Sequence, residues 1–269
     1  MKNRSILSTV ICLLILPATL VAQTPTNSQV AGADTFVSSG QPDANFGPLG
    51  AMEIAAPTAA QPRTENTLLL FDASALRTGF DSTFGAGNWA VTSVSLTFFS
   101  NVATAGQQPN NSSFNKIAAG SFELGLLNNN NWSETSITWN TLPSILPGSG
   151  NTNTLTPLGT FFWPANGSAS TTWTLNSDPT LLDAIDGGSQ VTIFGQPTAG
   201  STVGYLFNTL LTSPAYLNVT VEEVPEPSSP AIVFAVSCLL LARGANRKRK
   251  ALRSLSSLKI GRGNRPFRV

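Results

Sequence analysis

The sequence predicts an all-β protein whose central part, residues 30–223, folds as one antiparallel, jelly-roll-like β-sandwich with one short helix. Two observations predict this class. Apolar and polar residues alternate in short runs, as in strands with one buried face, and clusters of Gly, Pro and Asn separate the runs. About nine such runs suit two packed antiparallel sheets. A signal peptide precedes the sandwich, and a hydrophobic helix with a basic tail follows it.

The alternation is clearest near the middle of the chain. Val94, Leu96 and Phe98 alternate with Ser95 and Thr97, so one face of this segment is apolar and the other is polar. The same pattern, or a short run rich in aromatic and β-branched residues, marks the other strands. The predicted strands are residues 67–71, 94–98, 122–126, 137–139, 160–163, 171–175, 191–194, 203–207 and 217–221.

One helix is predicted directly after residue 178. Asp178 can cap its N-terminus, Pro179 suits the first helical position, and the pair Gly187-Gly188 ends it. The apolar residues between these points are spaced to lie on one face: Leu181, Leu182 and Ile185.

The N-terminus reads as a secretory signal peptide over residues 1–22. Lys2 and Arg4 form the basic region, residues 6–16 form the apolar region, and a small-residue cleavage site ends at Ala22. We therefore expect the central part to be exported.

Charge is distributed unevenly along the chain. The 15 Lys and Arg nearly balance the 14 Asp and Glu, so the net charge is +1. Residues 23–230, however, hold three basic and all fourteen acidic residues, a balance of −11, and ten basic residues follow without any acid. Such asymmetry suggests a membrane or a nucleic acid as the partner of the basic tail. Export argues against nucleic acid.

The C-terminal region combines an apolar run with that basic tail. Residues 231–242 would form a helix about 18 Å long, a marginal span for a hydrocarbon core of ~30 Å. The positive-inside tendency places the tail in the cytoplasm and the acidic part on the other side. The basic cluster that follows the helix is Arg243, Arg247, Lys248, Arg249 and Lys250.

A short motif precedes the apolar run. Val224-Pro225-Glu226-Pro227-Ser228, the hydrophobic helix and the basic cluster together resemble the PEP-CTERM sorting signal of Gram-negative bacteria that produce exopolysaccharide, over residues 224–250. The resemblance implies processing by an exosortase, which would remove the tail and leave the protein at the cell surface. The basic extension 251–269 departs from the family pattern, which usually stops after the cluster.

Composition excludes several kinds of catalysis. The chain has no His, and its two Cys, Cys12 and Cys238, lie in the terminal apolar runs. Ser-His-Asp and Cys-His catalysis and thiolate metal sites are therefore excluded from the central part. Paired carboxylates need no His, so a polysaccharide-degrading enzyme remains a second alternative. Since cations and Tyr are scarce, we expect no enzymatic activity and name no catalytic residue.

The central part carries a second resemblance. Its motifs are Ala33-Asp34-Thr35-Phe36-Val37, then Ala44-Asn45-Phe46-Gly47, then residues 68–76, and above all residues 131–143, which contain Trp132, Glu134 and Trp139. They resemble the DNRLRE domain, also classed with carbohydrate-binding module family 96, over about residues 30–221. The resemblance implies an extracellular jelly-roll sandwich, with polysaccharide binding in some members.

Sugar binding requires flat apolar side chains that face solvent, together with amides and carboxylates. Trp89 and Trp163 stand beside turn residues, and Trp132 follows an Asn tract at the edge of a predicted strand. These three are the candidate carbohydrate-binding residues, whereas Trp139 is expected in the core.

No cofactor is expected, with structural calcium as the one alternative. Asp34, Asp43 and Asn45 lie close together in sequence and offer oxygen ligands, as do Asp183 and Asp186 near a helix end. Neither spacing matches an EF-hand, so solvated acids remain the favoured interpretation.

These observations lead to one main hypothesis and two alternatives. The main one is an exported, non-enzymatic cell-surface or matrix protein that is held transiently in the inner membrane, processed by an exosortase and retained in exopolysaccharide. The first alternative is a carbohydrate-binding module for a defined polysaccharide, and the second is the carboxylate-based enzyme.

Overall fold

The computed structural model describes residues 24–47, 49–101, 117–148, 150–165 and 169–224. These residues form two antiparallel sheets, two α-helices and one turn of 3₁₀ helix, which confirms the predicted β-sandwich. The strands are β1 (Thr26–Val30), β2 (Ala33–Ser38), β3 (Ala51–Ala55), β4 (Glu65–Asp72), β5 (Trp89–Phe99), β6 (Gly120–Leu127), β7 (Leu155–Trp163), β8 (Ser170–Thr174), β9 (Gln190–Pro197), β10 (Gly204–Asn208) and β11 (Tyr216–Glu223). The helices are α1 (Ser74–Phe84) and α2 (Pro179–Asp186), and the 3₁₀ turn is Leu142–Ser144.

The smaller sheet has four strands in the order β1-β11-β5-β8, all antiparallel. Its first and last strands in sequence are neighbours, because β11 pairs with β1 on one side and with β5 on the other. A bulge between Thr220 and Val221 shifts the β11–β5 register. We call this the small sheet.

The large sheet has the continuous order β2-β4-β9-β6-β7, and the pair β3–β10 joins it where Ala55 meets Glu65. β10 also reaches the small sheet through a bridge between Phe207 and Ser100, the residue after β5. A segment from β10 thus connects the two layers.

The main core lies between the sheets and is rich in aromatic rings. Tyr205 is at its centre, stacked on Trp163 and in edge contact with Phe98. Both helices contribute apolar side chains to this core, which is the reason for their amphipathic spacing. Those side chains are Leu76 and Phe80 from α1 and Leu181 and Ile185 from α2.

A second hydrophobic cluster covers the opposite face of the large sheet. Val37, Leu68 and Phe194 point to this side, and Ile137 and Leu142 pack on them. Residues 131–143, which we call the motif segment, therefore form a cover for the large sheet. With both faces covered, strands such as β4 have nearly continuous apolar sequences.

The predicted strand at 137–139 is wrong. Its residues lie in successive turns, in which the N–H of Ile137 donates to the carbonyl of Ser133 and the N–H of Leu142 donates to the carbonyl of Thr138. These local hydrogen bonds satisfy the backbone without a partner strand. The other eight predicted strands are present, although their boundaries differ by up to a few residues.

The structure also adds elements that the pattern did not predict, namely β1, β2, β3 and α1. The predicted helix is α2: the carboxylate of Asp178 accepts from the N–H of Thr180 at 2.9 Å, and Pro179 is the first helical residue. A second helix, α1, corrects the expectation of only one.

Several predictions fall outside the described residues: the signal peptide with Ala22, residues 225–228 of the sorting motif, the helix 231–242 and the basic cluster. Val224, the first residue of the motif, is described; its N–H donates to the carbonyl of Asn88 at 2.8 Å, directly after β11. Among the helices that the structure describes, none is both long and apolar enough for a membrane span.

Candidate functional site

Two of the three candidate tryptophans lie in the core. Trp89 is 4% exposed, its Nε1 donates to Oδ1 of Asp81 at 2.8 Å, and its ring packs against Phe80 of α1. Trp163 is 1% exposed and stacks on Tyr205. A sugar cannot stack on a ring that solvent does not reach, so the prediction that Trp89 and Trp163 bind carbohydrate is wrong.

The third candidate, Trp132, is half-buried. Its Nε1 donates to Oγ1 of Thr192 at 3.1 Å, and that hydroxyl donates to Oδ1 of Asn130 at 2.7 Å. The ring packs against the second hydrophobic cluster, as does half-buried Trp139. Trp132 therefore helps to fix the motif segment on the large sheet, and a role for its remaining exposed edge in binding stays a prediction.

The three residues considered for calcium all contact the motif segment. The Nδ2 of Asn45 donates to the carbonyls of Glu134 and Ile137, at 2.7 and 2.8 Å. Oδ1 of Asp43 accepts from Nδ2 of Asn140 at 2.7 Å. The N–H of Asp34 donates to Oε2 of Glu134 at 3.1 Å. The structure thus brings Asp34, Asp43 and Asn45 together, and their polar atoms form hydrogen bonds with the motif segment. We call this set of contacts the clamp.

Packing completes the clamp between the β2–β3 loop and the motif segment. The ring of Phe46 stacks on that of Phe36, with 4.3 Å between centroids. Gly47 lies so close to Glu134 that a Cβ at this position would be 2.1 Å from the Glu134 carbonyl oxygen. The family motifs at 33–37, 44–47 and 131–143 are therefore one structural unit.

A cleft of about 310 Å³ opens beside this unit. Asp34 and Glu134 line it together with Thr135, and Leu210 and Leu211 form an apolar side. Leu211 is 69% exposed. The cleft thus combines two carboxyl groups with an apolar wall, but each carboxyl group already makes a hydrogen bond to backbone.

The electrostatics of the cleft centre on Asp34, which is 2% exposed. Burial raises the pKa of its carboxyl from 3.8 to about 6; the N–H of Leu210, 2.6 Å from Oδ2, opposes the shift, and the nearby Glu134 adds to it. This carboxyl group is costly to ionise in the folded protein.

A second set of buried carboxyl groups lies inside the large sheet, where Glu53 of β3 and Glu65 of β4 are both fully buried. Arg63 places Nε 2.9 Å from Oε1 of Glu65, and the hydroxyl of Ser38 donates to the same oxygen. Burial raises the pKa of Glu65, while Glu53, Arg63 and Ser38 act against the shift. Because solvent does not reach these two acids, we assign them a structural role in the fold.

In the described part of the chain, no three His, Cys, Asp or Glu side chains gather as metal ligands.

The outer face of the small sheet has a different character, and we call it the open face. Its side chains point away from the main core, and strand register places them in rows across all four strands. Hydroxyl groups dominate, and none of the side chains is a cation. The central residues of the face are Thr26, Ser28, Val30, Ser93, Ser95, Thr97, Phe99, Ser170, Thr172, Thr174, Tyr216, Asn218 and Thr220.

Sequence reasoning did not assemble this face. The alternation in β5 and β11 already placed Ser95, Thr97, Asn218 and Thr220 on the polar side of their strands. What the pattern lacked was the pairing of β11 with β1 and of β5 with β8, which joins distant segments into one surface.

Comparison with known families relates the chain to a family of binding modules. The model of carbohydrate-binding module family 96 matches residues 25–163, which include the clamp and the whole motif segment. No curated protein matches the chain significantly. The matched region ends with β7, while β9 and β11, inserted between earlier strands, complete both sheets. Since the match spans more than half of the 269 residues, the chain belongs to carbohydrate-binding module family 96.

Proposed function

We propose that the folded body binds an uncharged extracellular polysaccharide and retains the protein in exopolysaccharide after export. The observation that carries this proposal is membership in a family of carbohydrate-binding modules. Such a module has its ligand outside the cell, which agrees with the predicted signal peptide.

The charge of the body supports an uncharged ligand. Residues 23–230 carry a balance of −11, and their basic residues are only Arg63, Arg77 and Lys116. Of these, Arg63 pairs with Glu65 and Arg77 with Asp81. Binding of a polyuronate would need cations that face the ligand, and an acidic surface repels such a chain.

Affinity electrophoresis tests this proposal directly. The purified protein is run in native gels that contain either neutral polysaccharides (glucan, mannan, galactan) or polyuronates. We expect slower migration in at least one neutral gel and no retardation by polyuronates. Unchanged migration in every neutral gel would show that the body is not a module for such chains.

Sorting by an exosortase is the second part of the proposal. Its support is the order of Pro-Glu-Pro, apolar run and basic cluster, and the position of Val224, 43% exposed at the end of β11, where the motif begins. Prolines at 225 and 227 favour an extended backbone that a protease-like site can bind.

Replacement of Pro225, Glu226 and Pro227 by Ala should leave the full-length protein in the membrane fraction. The matched control is Pro230→Ala in the same linker, which should be processed normally. Cleavage would also remove the basic tail, so the isoelectric point of the mature protein should lie well below the value of about 7.8 for the whole chain. Isoelectric focusing measures this. Normal release of the triple variant would argue against an exosortase.

A non-catalytic body is the third part. Incubation with each polysaccharide of the same panel should release neither reducing ends nor unsaturated products. Steady release by the pure protein would instead favour the carboxylate-based enzyme, with Asp34 and Glu134 as the first acids to replace.

A further inference from the structure

The two sheets differ in what covers their outer faces. The motif segment covers the large sheet, and Ile137, Leu142 and Ile145 pack on it as a second hydrophobic cluster. On the small sheet, the outward side chains of β5 and β11 are half-exposed and several of those on β1 and β8 are fully exposed. The open face is therefore a broad polar surface at which solvent meets the sheet directly.

We infer that the open face is the polysaccharide-binding site, and that it takes an extended, uncharged chain across its four strands. In this arrangement Tyr216 and Phe99 contact the apolar face of a sugar ring, and a row of hydroxyl and amide groups binds sugar hydroxyls. The inference rests on the proposed carbohydrate-binding function and names the site and the ligand class for it.

The polar row is held in place by its own hydrogen bonds. The hydroxyl of Ser28 donates to Oδ1 of Asn218 at 2.7 Å, and Nδ2 of Asn218 donates to Oγ1 of Thr97 at 2.9 Å. The hydroxyls of Thr97 and Thr172 lie 2.7 Å apart. The row thus crosses β1, β11, β5 and β8 without interruption, about 14 Å at the usual strand spacing.

This row suits a sugar ligand for two reasons. Hydroxyl and carboxamide groups each combine donors and acceptors, and every member keeps hydrogen-bonding capacity beyond the bonds within the row. Because the side chains already restrain one another, binding costs less conformational entropy than the ordering of mobile side chains would.

The aromatic pair lies beside the row. Tyr216 and Phe99 meet edge to face, with 5.8 Å between centroids and 70° between planes. Register places Tyr216 opposite Thr97, so the phenol ring adjoins the polar row. Both rings are half-exposed, unlike those of Trp89 and Trp163. A partly exposed ring next to fixed hydroxyls offers the combination of apolar and polar contacts that sugars require.

The lack of charged side chains among the central residues of the open face restricts the partners that this face can bind. The central residues of the open face include no Lys, Arg, Asp or Glu, and the nearest acid in β11, Glu222, lies beyond Thr220 at one end. A polyanion or a nucleic acid would find no counter-charge here. A neutral glycan chain needs none.

The test compares variants of the full protein by affinity electrophoresis in a neutral polysaccharide that retards the wild type. Tyr216→Ser and Thr172→Lys should each weaken binding about tenfold or more, since the first removes the stacking ring and the second places a long cation over the row. Asn218→Ala should weaken it roughly fivefold, the effect of about one hydrogen bond. Tyr216→Phe, which keeps the ring, should retain most of the affinity.

The matched control is Phe162→Ser. Phe162 is 59% exposed on β7, the edge strand of the large sheet, so this variant also removes an exposed ring but leaves the open face intact. It should bind as the wild type does. Thr172 is exposed on the edge strand β8, so Thr172→Lys should fold even if Tyr216→Ser does not.

The outcomes separate this inference from the proposed function. Wild-type retardation that persists unchanged in folded Thr172→Lys and Asn218→Ala would overturn the open face as the site and leave carbohydrate binding intact. A wild type that no polysaccharide retards would remove both. If sedimentation shows that Thr172→Lys splits a dimer, the face joins two copies of the chain, and the inference is also wrong.

Discussion

The indole ring of Trp163 lies flat on the phenol ring of Tyr205, with centroids 4.1 Å apart and planes inclined by 21°. Trp163 ends β7 in the large sheet, and Tyr205 belongs to β10, which also bridges to the small sheet. The contact therefore holds together the part of the molecule where the two layers join. Trp163 has the kind of flat ring on which sugars stack, but here it is a central residue of the core.

Replacement of Trp163 by Ala should lower the free energy of unfolding by about 3–5 kcal/mol, the usual cost of removing a large buried ring. Urea denaturation measures this. The adjacent Phe162→Ala is the control, because it removes an exposed ring and should change stability by no more than about 0.5 kcal/mol. Full stability of Trp163→Ala combined with lost polysaccharide binding would contradict the assignment of Trp163 to the core.

Arg63 should matter more to stability than its position in a loop suggests. Its Nε lies 2.9 Å from Oε1 of the fully buried Glu65, and removal of one partner from a buried ion pair usually costs about 3–5 kcal/mol. Arg63→Met should therefore destabilise the protein strongly at pH 8. At pH 5 the loss should be smaller, because burial raises the pKa of Glu65 and protonation removes the uncompensated charge.

The control for Arg63 is Arg77→Met. Arg77 and Asp81 form an exposed pair on α1 at 3.5 Å, and such pairs contribute about 0–1 kcal/mol. Equal losses in the two variants, or a loss at Arg63 that does not vary with pH, would show that the buried pair does not act as described.

Asp34 predicts a pH dependence of the stability. Its pKa is about 6 in the folded protein and near 3.8 in the unfolded chain, so between these values the folded state binds more protons. The free energy of unfolding should therefore fall as pH rises from about 4 to 7, by up to about 3 kcal/mol at 1.36 kcal/mol per pKa unit.

Asp34→Asn should remove this decline, because the amide carbonyl still accepts from the N–H of Leu210 without a charge to bury. Urea melts at pH 4.5 and 7.5 give the comparison, and the variant should be the more stable protein at pH 7.5. Asp43→Asn, at an exposed position, should keep the wild-type profile. A decline in Asp34→Asn as large as that of the wild type would contradict the assignment.

The period-two pattern predicted the strands that have one solvent-exposed face, and it gave no signal for the short buried strands β2 and β3. β5 and β11 alternate because their outer side chains form the open face, and both were predicted. Phe36 and Val37, on opposite sides of β2, are fully buried, and so are Glu53 and Ile54, on opposite sides of β3. Without alternation these segments gave no period-two signal.

The clamp shows a different limit. Asp43 and Asn45 are candidate calcium ligands in the sequence because they are close neighbours with side-chain oxygens. Their hydrogen-bond partners, however, lie in the motif segment, about ninety residues further along the chain. Composition can identify such residues, whereas only the fold shows that the Nδ2 of Asn45 binds two carbonyls.

The sequence did not predict helix α1 for a local reason. The helix contains Gly79, and its N-cap residue, Ala73, has no side chain that can cap it.

Gly47 offers the most specific test of the clamp. A Cβ at this position would lie 2.1 Å from the carbonyl oxygen of Glu134 and 2.7 Å from its carbonyl carbon, so Gly47→Ala forces the motif segment away from the β2–β3 loop. This displacement strains the two hydrogen bonds of the Asn45 amide and should cost about 2–3 kcal/mol of unfolding free energy.

Gly50→Ala, three residues later, is the matched control, because its Cβ would meet only the Thr212 methyl group at 3.6 Å, an ordinary contact. Urea denaturation should show a clear loss for Gly47→Ala and almost none for Gly50→Ala. If the open face is the binding site, folded Gly47→Ala should still bind the neutral polysaccharide, because the clamp lies on the large sheet. Equal stability of the two variants would mean that the motif segment does not depend on this close approach.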